Sequence, residues 1–296
     1  MCLTFDVDLI DHSSGNMRPD ELTVAVPRLM KLWDRHPGWR ATWFVRLDAQ
    51  LGEVYGEADY VFRQYGALLH ELRQRGHAIG WHPHCYTRRN GEWAQNTDSR
   101  GVVEELSTHA SHARARGLTT VRMGWGFHTN ETMALLSDLG FEADSSAIPR
   151  PIYAWELSVK DWSTSPATAF FPSRSDYRVP GEPAHAILEL PVSVAPLAAP
   201  YDHGPVQRYL NPAYWPGAFQ PALEWWLARH GDVVMLTHPT ELMPATARRG
   251  LIAHDFGALE QNLLHIEQKA RDRSARLSFV TIDEAAARLR TGAAWG

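Results

Sequence analysis

Two carboxylates one residue apart, Asp6 and Asp8, stand in the apolar run LTFDVDLID at residues 3–11. Two imidazoles with the same spacing, His82 and His84, stand in IGWHPHCY, and single polar groups follow apolar runs at Arg122 (VRMGWG) and His238 (VVMLTHPTEL). In an extended segment residues i and i+2 point to the same side, so each pair converges on one face. One carboxylate and two imidazoles make a facial metal site that leaves positions open for water and substrate. Metal binding accounts for one acid of the first pair and leaves the other free to act as a general base. Taken singly, a His-x-His pair, an arginine or a strand-end histidine is more often a packing or surface group. The weight lies in several separate strand ends each presenting a group of catalytic type. Asp11 and His12, just beyond the first pair, take no assigned role.

Those strand ends follow from the apolar runs. CLTFDV (2–7), ATWFV (41–45), AIGWH (78–82), TVRMG (120–124), AILELPV (186–192), VVMLTH (233–238) and LSFVT (277–281) read as strands. Helical patterns lie between them, at 19–35 with Pro27 as an interior break, at 99–116, at 130–140 with a polar cap and a terminal glycine, at 256–271 and at 282–291. Strand and helix in alternation predict parallel strands with crossover helices, and about seven strand signals favour an α/β barrel. Working residues of such folds sit where strands end and loops begin. Residues 147–220, rich in Pro, Trp, Tyr and Ser, break the rhythm and read as a long irregular insertion or lid within one catalytic domain spanning 1–296. Tandem Trp225 and Trp226 on an amphipathic pattern read as core.

Composition narrows the partners. A net charge of −5 over 296 residues argues against nucleic acid or an anionic membrane surface. No apolar run is long enough to span a membrane and no secretory signal stands at the N-terminus, so a cytoplasmic location is expected. Two cysteines, Cys2 and Cys85, make no disulfide framework and fit a reducing compartment. Fifteen histidines and twelve tryptophans raise the expectation of metal or sugar chemistry.

With these residues in order, the chain resembles the polysaccharide deacetylase family, the NodB-homology carbohydrate esterases. TFDVD (4–8) resembles its first motif in an Asp-x-Asp variant, which implies Asp6 as catalytic base and Asp8 as metal ligand. GHAIGWHPH (76–84) resembles the second, which supplies two histidine ligands. The family usually spaces them as His-x-x-x-His, but position 86 is Tyr, so His82 and His84 are the implied pair. RMGWG (122–126) resembles the third motif: Arg122 would hold the base and the Trp125 backbone N–H would bind the oxyanion. KDW (160–162) resembles the fourth, with Asp161 orienting Arg122 and Trp162 lining the pocket. LTH (236–238) resembles the fifth, with His238 as general acid and Leu236 in the acyl pocket. GFEADSS (140–146) is similar to the stretch after the third motif.

The resemblance spans residues 4–238 and implies a distorted (β/α)7 barrel carrying a metal-dependent N-deacetylase. One divalent ion is implied, zinc by default, with cobalt, nickel or iron also suited to the ligands. The expected substrate is a small molecule or glycan: an N-acylated, chiefly N-acetylated, amino sugar, sugar precursor or similar metabolite. Two other readings stand beside it. A barrel amidohydrolase also uses His-x-His but would carry it on strand one. A non-catalytic sugar-binding protein on the same fold would have lost the base or the acid.

Overall fold

A computed structural model describes residues 1–10, 17–150, 153–155, 158–243, 250–253 and 255–292; Asp11 and His12 lie outside them, as do 151–152 and 156–157 of the segment 147–220. Seven strands make the central sheet: β1 (Cys2–Val7), β2 (Ala41–Val45), β3 (Ala78–Trp81), β4 (Thr120–Val121), β5 (Ala143–Asp144), β6 (Leu188–Glu189) and β7 (Val234–Thr237). Their order is β6-β5-β4-β3-β2-β1-β7, and every neighbouring pair is parallel. Strands covered on both faces read as unbroken apolar runs. Every residue of β1, β2 and β7 is accordingly buried, Asp6 included.

The sheet curls into a distorted (β/α)7 barrel of the NodB-homology type. The gap between edge strands β6 and β7 is bridged from the segment 147–220. Ser193 donates its N–H to the Val234 carbonyl at 2.9 Å, and its hydroxyl accepts from the Val234 N–H at 3.0 Å. Leu210 then links the Ser193 carbonyl to the Leu236 N–H at 2.8 and 3.1 Å. That segment also holds two antiparallel hairpins, Tyr153–Trp155 with Ser158–Lys160 and Val194–Leu197 with Val206–Tyr209. Its strands are too short for a visible period of two, hence the irregular reading.

One expected strand is replaced. LSFVT (277–281) pairs with no sheet strand; Val280 donates its N–H to the Met1 carbonyl at 2.9 Å, and Thr281 caps the last helix (Ile282–Arg290) through a reciprocal box with Glu284. The remaining place in the sheet goes to Ala143–Asp144, two residues with no periodicity to betray them. Pro27 does break its segment: a wide π-type turn covers Glu21–Ala25, and the α-helix Val26–Arg35 begins with Pro27 in its first turn, where a missing N–H costs no hydrogen bond. Among the described residues no helix is long and apolar enough to cross a membrane.

Candidate active site

Parallel strands all end on the same side, so the groups leaving them gather at one rim. Asp6 and Asp8 come from β1, His82 and His84 from β3, Arg122 from β4, Ser145 and Ser146 from β5, and His238 from β7. All line one pocket of about 230 Å3.

Asp8, His82 and His84 bring one carboxylate oxygen and two imidazole nitrogens within 4.8 Å of one another. His82 Nδ1 lies 2.7 Å from the Arg122 carbonyl, which can only accept, so this nitrogen carries the proton and Nε2 faces inward. There it meets His84 Nε2 at 2.9 Å, and Asp8 Oδ1 lies 3.1 Å from His84 Nε2 and 3.5 Å from His82 Nε2. A divalent cation held here would meet one carboxylate oxygen and two imidazole nitrogens, and this borderline-soft donor set suits zinc, cobalt, nickel or iron. Burial, then the charge of Arg46 and the neighbouring His82, hold His84 well below the usual histidine range, neutral as a ligand must be. The backbone makes room for that ring: a Cβ at Gly124 would stand 2.5 Å from His84. Position 86, where the His-x-x-x-His pattern would put the second histidine, opens the hairpin Tyr86–Arg89/Glu92–Gln95, and the Tyr86 ring stacks on His84 at 5.2 Å.

Asp6 faces a different partner. Its Oδ1 accepts from Arg122 Nη1 at 2.8 Å, while its Oδ2 lies 3.9 Å from His82 Nε2. Arg122 is held on every edge: Nη1 also donates to Thr4 Oγ1 (2.7 Å), Nε to the Ser145 carbonyl (2.7 Å) and Nη2 to Ser145 Oγ (2.8 Å). Its guanidinium lies over the Phe44 ring at 4.3 Å.

Ser145 therefore has the task expected of Asp161, which does not reach Arg122. The Asp161 carboxylate accepts from Ser163 Oγ at 2.7 Å and pairs with Arg178. Trp162 does not line the pocket either. It is buried behind it, donating Nε1–H to the Gly126 carbonyl at 2.7 Å and so bracing the turn Gly124–Gly126. The pocket residue of KDW is Lys160. Trp125 sits on that braced turn at φ +59°, a conformation non-glycine residues seldom adopt outside constrained sites. Its indole donates to the Tyr86 hydroxyl at 2.6 Å.

His238 stands across from this cluster, its Nε2 3.8 Å from Asp8 Oδ2 and its Nδ1 3.5 Å from Glu241. Burial opposes the imidazolium, but the carboxylates of Glu241, Asp8 and Asp6 outweigh it and push the pKa up to about 10. Glu241 is itself anchored by the His238 N–H (2.8 Å) and Asn211 Nδ2 (2.7 Å). Leu236 lines the pocket with Ile148, Val192 and Tyr209. Glu241 and Glu21 stand in no motif of the sequence. Glu21 accepts the backbone N–H groups of Asp8 (3.0 Å) and Leu9 (3.2 Å), and burial together with the Asp8 charge pushes its carboxyl up to about 8.

No family model and no curated protein matches the chain. Among solved structures, a Mycobacterium smegmatis protein provisionally described as a polysaccharide deacetylase is similar at a TM-score of 0.52 and 17% identity, covering 98% of this chain and 90% of that one. A Bordetella bronchiseptica protein, provisionally described as a polysaccharide deacetylase involved in O-antigen biosynthesis, overlaps more loosely, at a TM-score of 0.37 and 12% identity over 81% of this chain and 71% of that one. The first likeness is one of fold: this chain has the barrel of the polysaccharide deacetylases.

Proposed function

We propose that the chain is a metal-dependent deacetylase that hydrolyses the N-acyl group, in the first place N-acetyl, of an amino sugar, sugar precursor or similar small metabolite. The observation that carries this is the meeting of three parts in one pocket: an Asp8–His82–His84 donor set, a separate carboxylate clamped by an arginine, and a histidine opposite, paired with Glu241. Bound there, a divalent ion such as zinc would polarise the amide carbonyl and make water more acidic. Asp6, fixed by Arg122, takes the proton of the attacking water. The Trp125 N–H, on the braced turn, steadies the oxyanion. His238, paired with Glu241, gives a proton to the departing amine, without which the C–N bond breaks slowly. Leu236, Ile148 and Val192 form an apolar wall for the acyl group, and the hairpins of 147–220 serve as a lid. Cys2 and Cys85, buried and unbridged, fit a reducing compartment.

The test is release of acetate from a panel of N-acetylated sugars, nucleotide sugars and small amides. Activity should vanish with a chelator and return with zinc or cobalt. Hydrolysis that persists after thorough metal stripping would remove the metal-dependent reading, and no acetate from any member of the panel would remove the deacetylase.

A further inference from the structure

Between the metal-type ligands of β1 and those of β3 runs β2, and the residues that leave it touch both sides. Arg46 and Asp48 follow the end of β2 and are completely buried. They hold each other by two parallel hydrogen bonds, Nε to Oδ2 at 2.7 Å and Nη2 to Oδ1 at 2.8 Å. On one flank, Arg46 Nη1 donates to the backbone carbonyl of Asp8 at 3.2 Å. On the other, Asp48 Oδ2 accepts the backbone N–H of His84 at 3.2 Å. Gln50 Oε1 takes a further Arg46 donor at 2.7 Å, and the Leu51 N–H takes Asp48 Oδ1 at 3.0 Å. The result is one continuous chain of bonds, from the Asp8 carbonyl through Arg46 and Asp48 to the His84 amide.

We infer that Arg46 and Asp48 are positioning residues that set the distance between Asp8 and His84, and thereby the affinity of the site for a divalent cation. A fully buried ion pair is no more stabilising than an apolar pair of the same volume, because desolvation cancels most of the attraction. What it supplies is direction. The planar guanidinium and the carboxylate fork fix two backbone groups that belong to different strands and share no direct sheet bond, β1 and β3 being separated by β2. Neither residue is among the three that could hold a metal ion, so their hold on the spacing of Asp8 and His84 is carried through the backbone of the two ligands.

The inference rests on the metal-dependent reading above, and the test separates the two. Metal-stripped protein is titrated with zinc and with cobalt against a chromophoric chelator, and its thermal unfolding is measured without metal. Arg46→Met/Asp48→Leu takes the partners from the Asp8 carbonyl and from the His84 and Leu51 N–H groups, so it should melt below the parent. Where it folds, it should bind both metals about 10–100-fold more weakly, the range seen when residues behind metal ligands are removed. A folded double variant that binds as tightly as the parent overturns the inference. Asp48→Asn keeps an acceptor for the His84 amide and should lose affinity by a smaller factor. Should the double variant fail to fold, unchanged affinity in Asp48→Asn is the overturning result and weakened affinity the supporting one. A parent that binds neither metal brings down both readings, whereas a binding parent with unaffected variants brings down only this one.

Discussion

On one side of the pocket, Asp6, Asp8, His82, His84 and Arg122 leave three strands of one parallel sheet, and their partners are backbone carbonyls, buried serine and threonine hydroxyls and each other. On the other side, Ile148, Lys160, Val192 and Tyr209 come from the short hairpins and loops of a single segment. The first side is held where a displacement would have to move the sheet. The second is supported by connections that tolerate change in length and sequence. Chemistry that needs sub-ångström placement belongs on the rigid side, and discrimination among substrates belongs on the adaptable one.

Substitutions can break that division. Asp6→Asn should have the largest effect, a loss of about 10²–10⁴ in kcat with metal affinity retained, read by acetate release beside a zinc titration. Full turnover in this variant would move the base elsewhere. Gly124→Ala comes next: its methyl group would stand 2.5 Å from His84. The crowding should cost about 1–3 kcal/mol in thermal or denaturant unfolding and weaken metal binding, with both recovered on reversion.

His238 offers a pH signature in the metal-free protein. Its folded value is raised from 6.5 to about 10, so its stabilising contribution is fully present below pH 6.5 and is lost as pH rises through about 10. His238→Asn should flatten that part of the stability profile; an unchanged slope would mean the neighbouring carboxylates do not hold the proton.

On the adaptable side, Val192→Ala should shift the preference between acetyl and longer acyl groups by about tenfold, through KM more than kcat. If it depressed kcat as deeply as Asp6→Asn, the division between the two sides would fail. Smallest of all, Asp161→Asn should leave kcat unchanged, since that carboxylate bonds to Ser163 and Arg178 and not to Arg122.

The sequence by itself determined the strand ends that carry Asp6 and Asp8, His82 and His84, Arg122 and His238. Spacing by two within an apolar run is a local property, so Asp6 with Asp8 and His82 with His84 were legible as converging pairs, and the apolar runs around Arg122 and His238 marked them as strand-end residues. The barrel was legible too, because β1, β2 and β7 are buried on both faces and therefore unbroken in their apolar character. Only the tertiary structure decided which groups stand behind these residues. Ser145 rather than Asp161 holds Arg122, Glu241 stands behind His238, Glu21 takes the Asp8 amide, and Arg46 with Asp48 ties β1 to β3. Trp162 proved a brace and not a pocket wall for the same reason. Apart from Glu241, three residues from His238, these contacts join groups of different elements 13 or more residues apart and leave no periodic trace. Likewise a strand of two residues, such as Ala143–Asp144, exists only because its neighbours on both sides complete its hydrogen bonds.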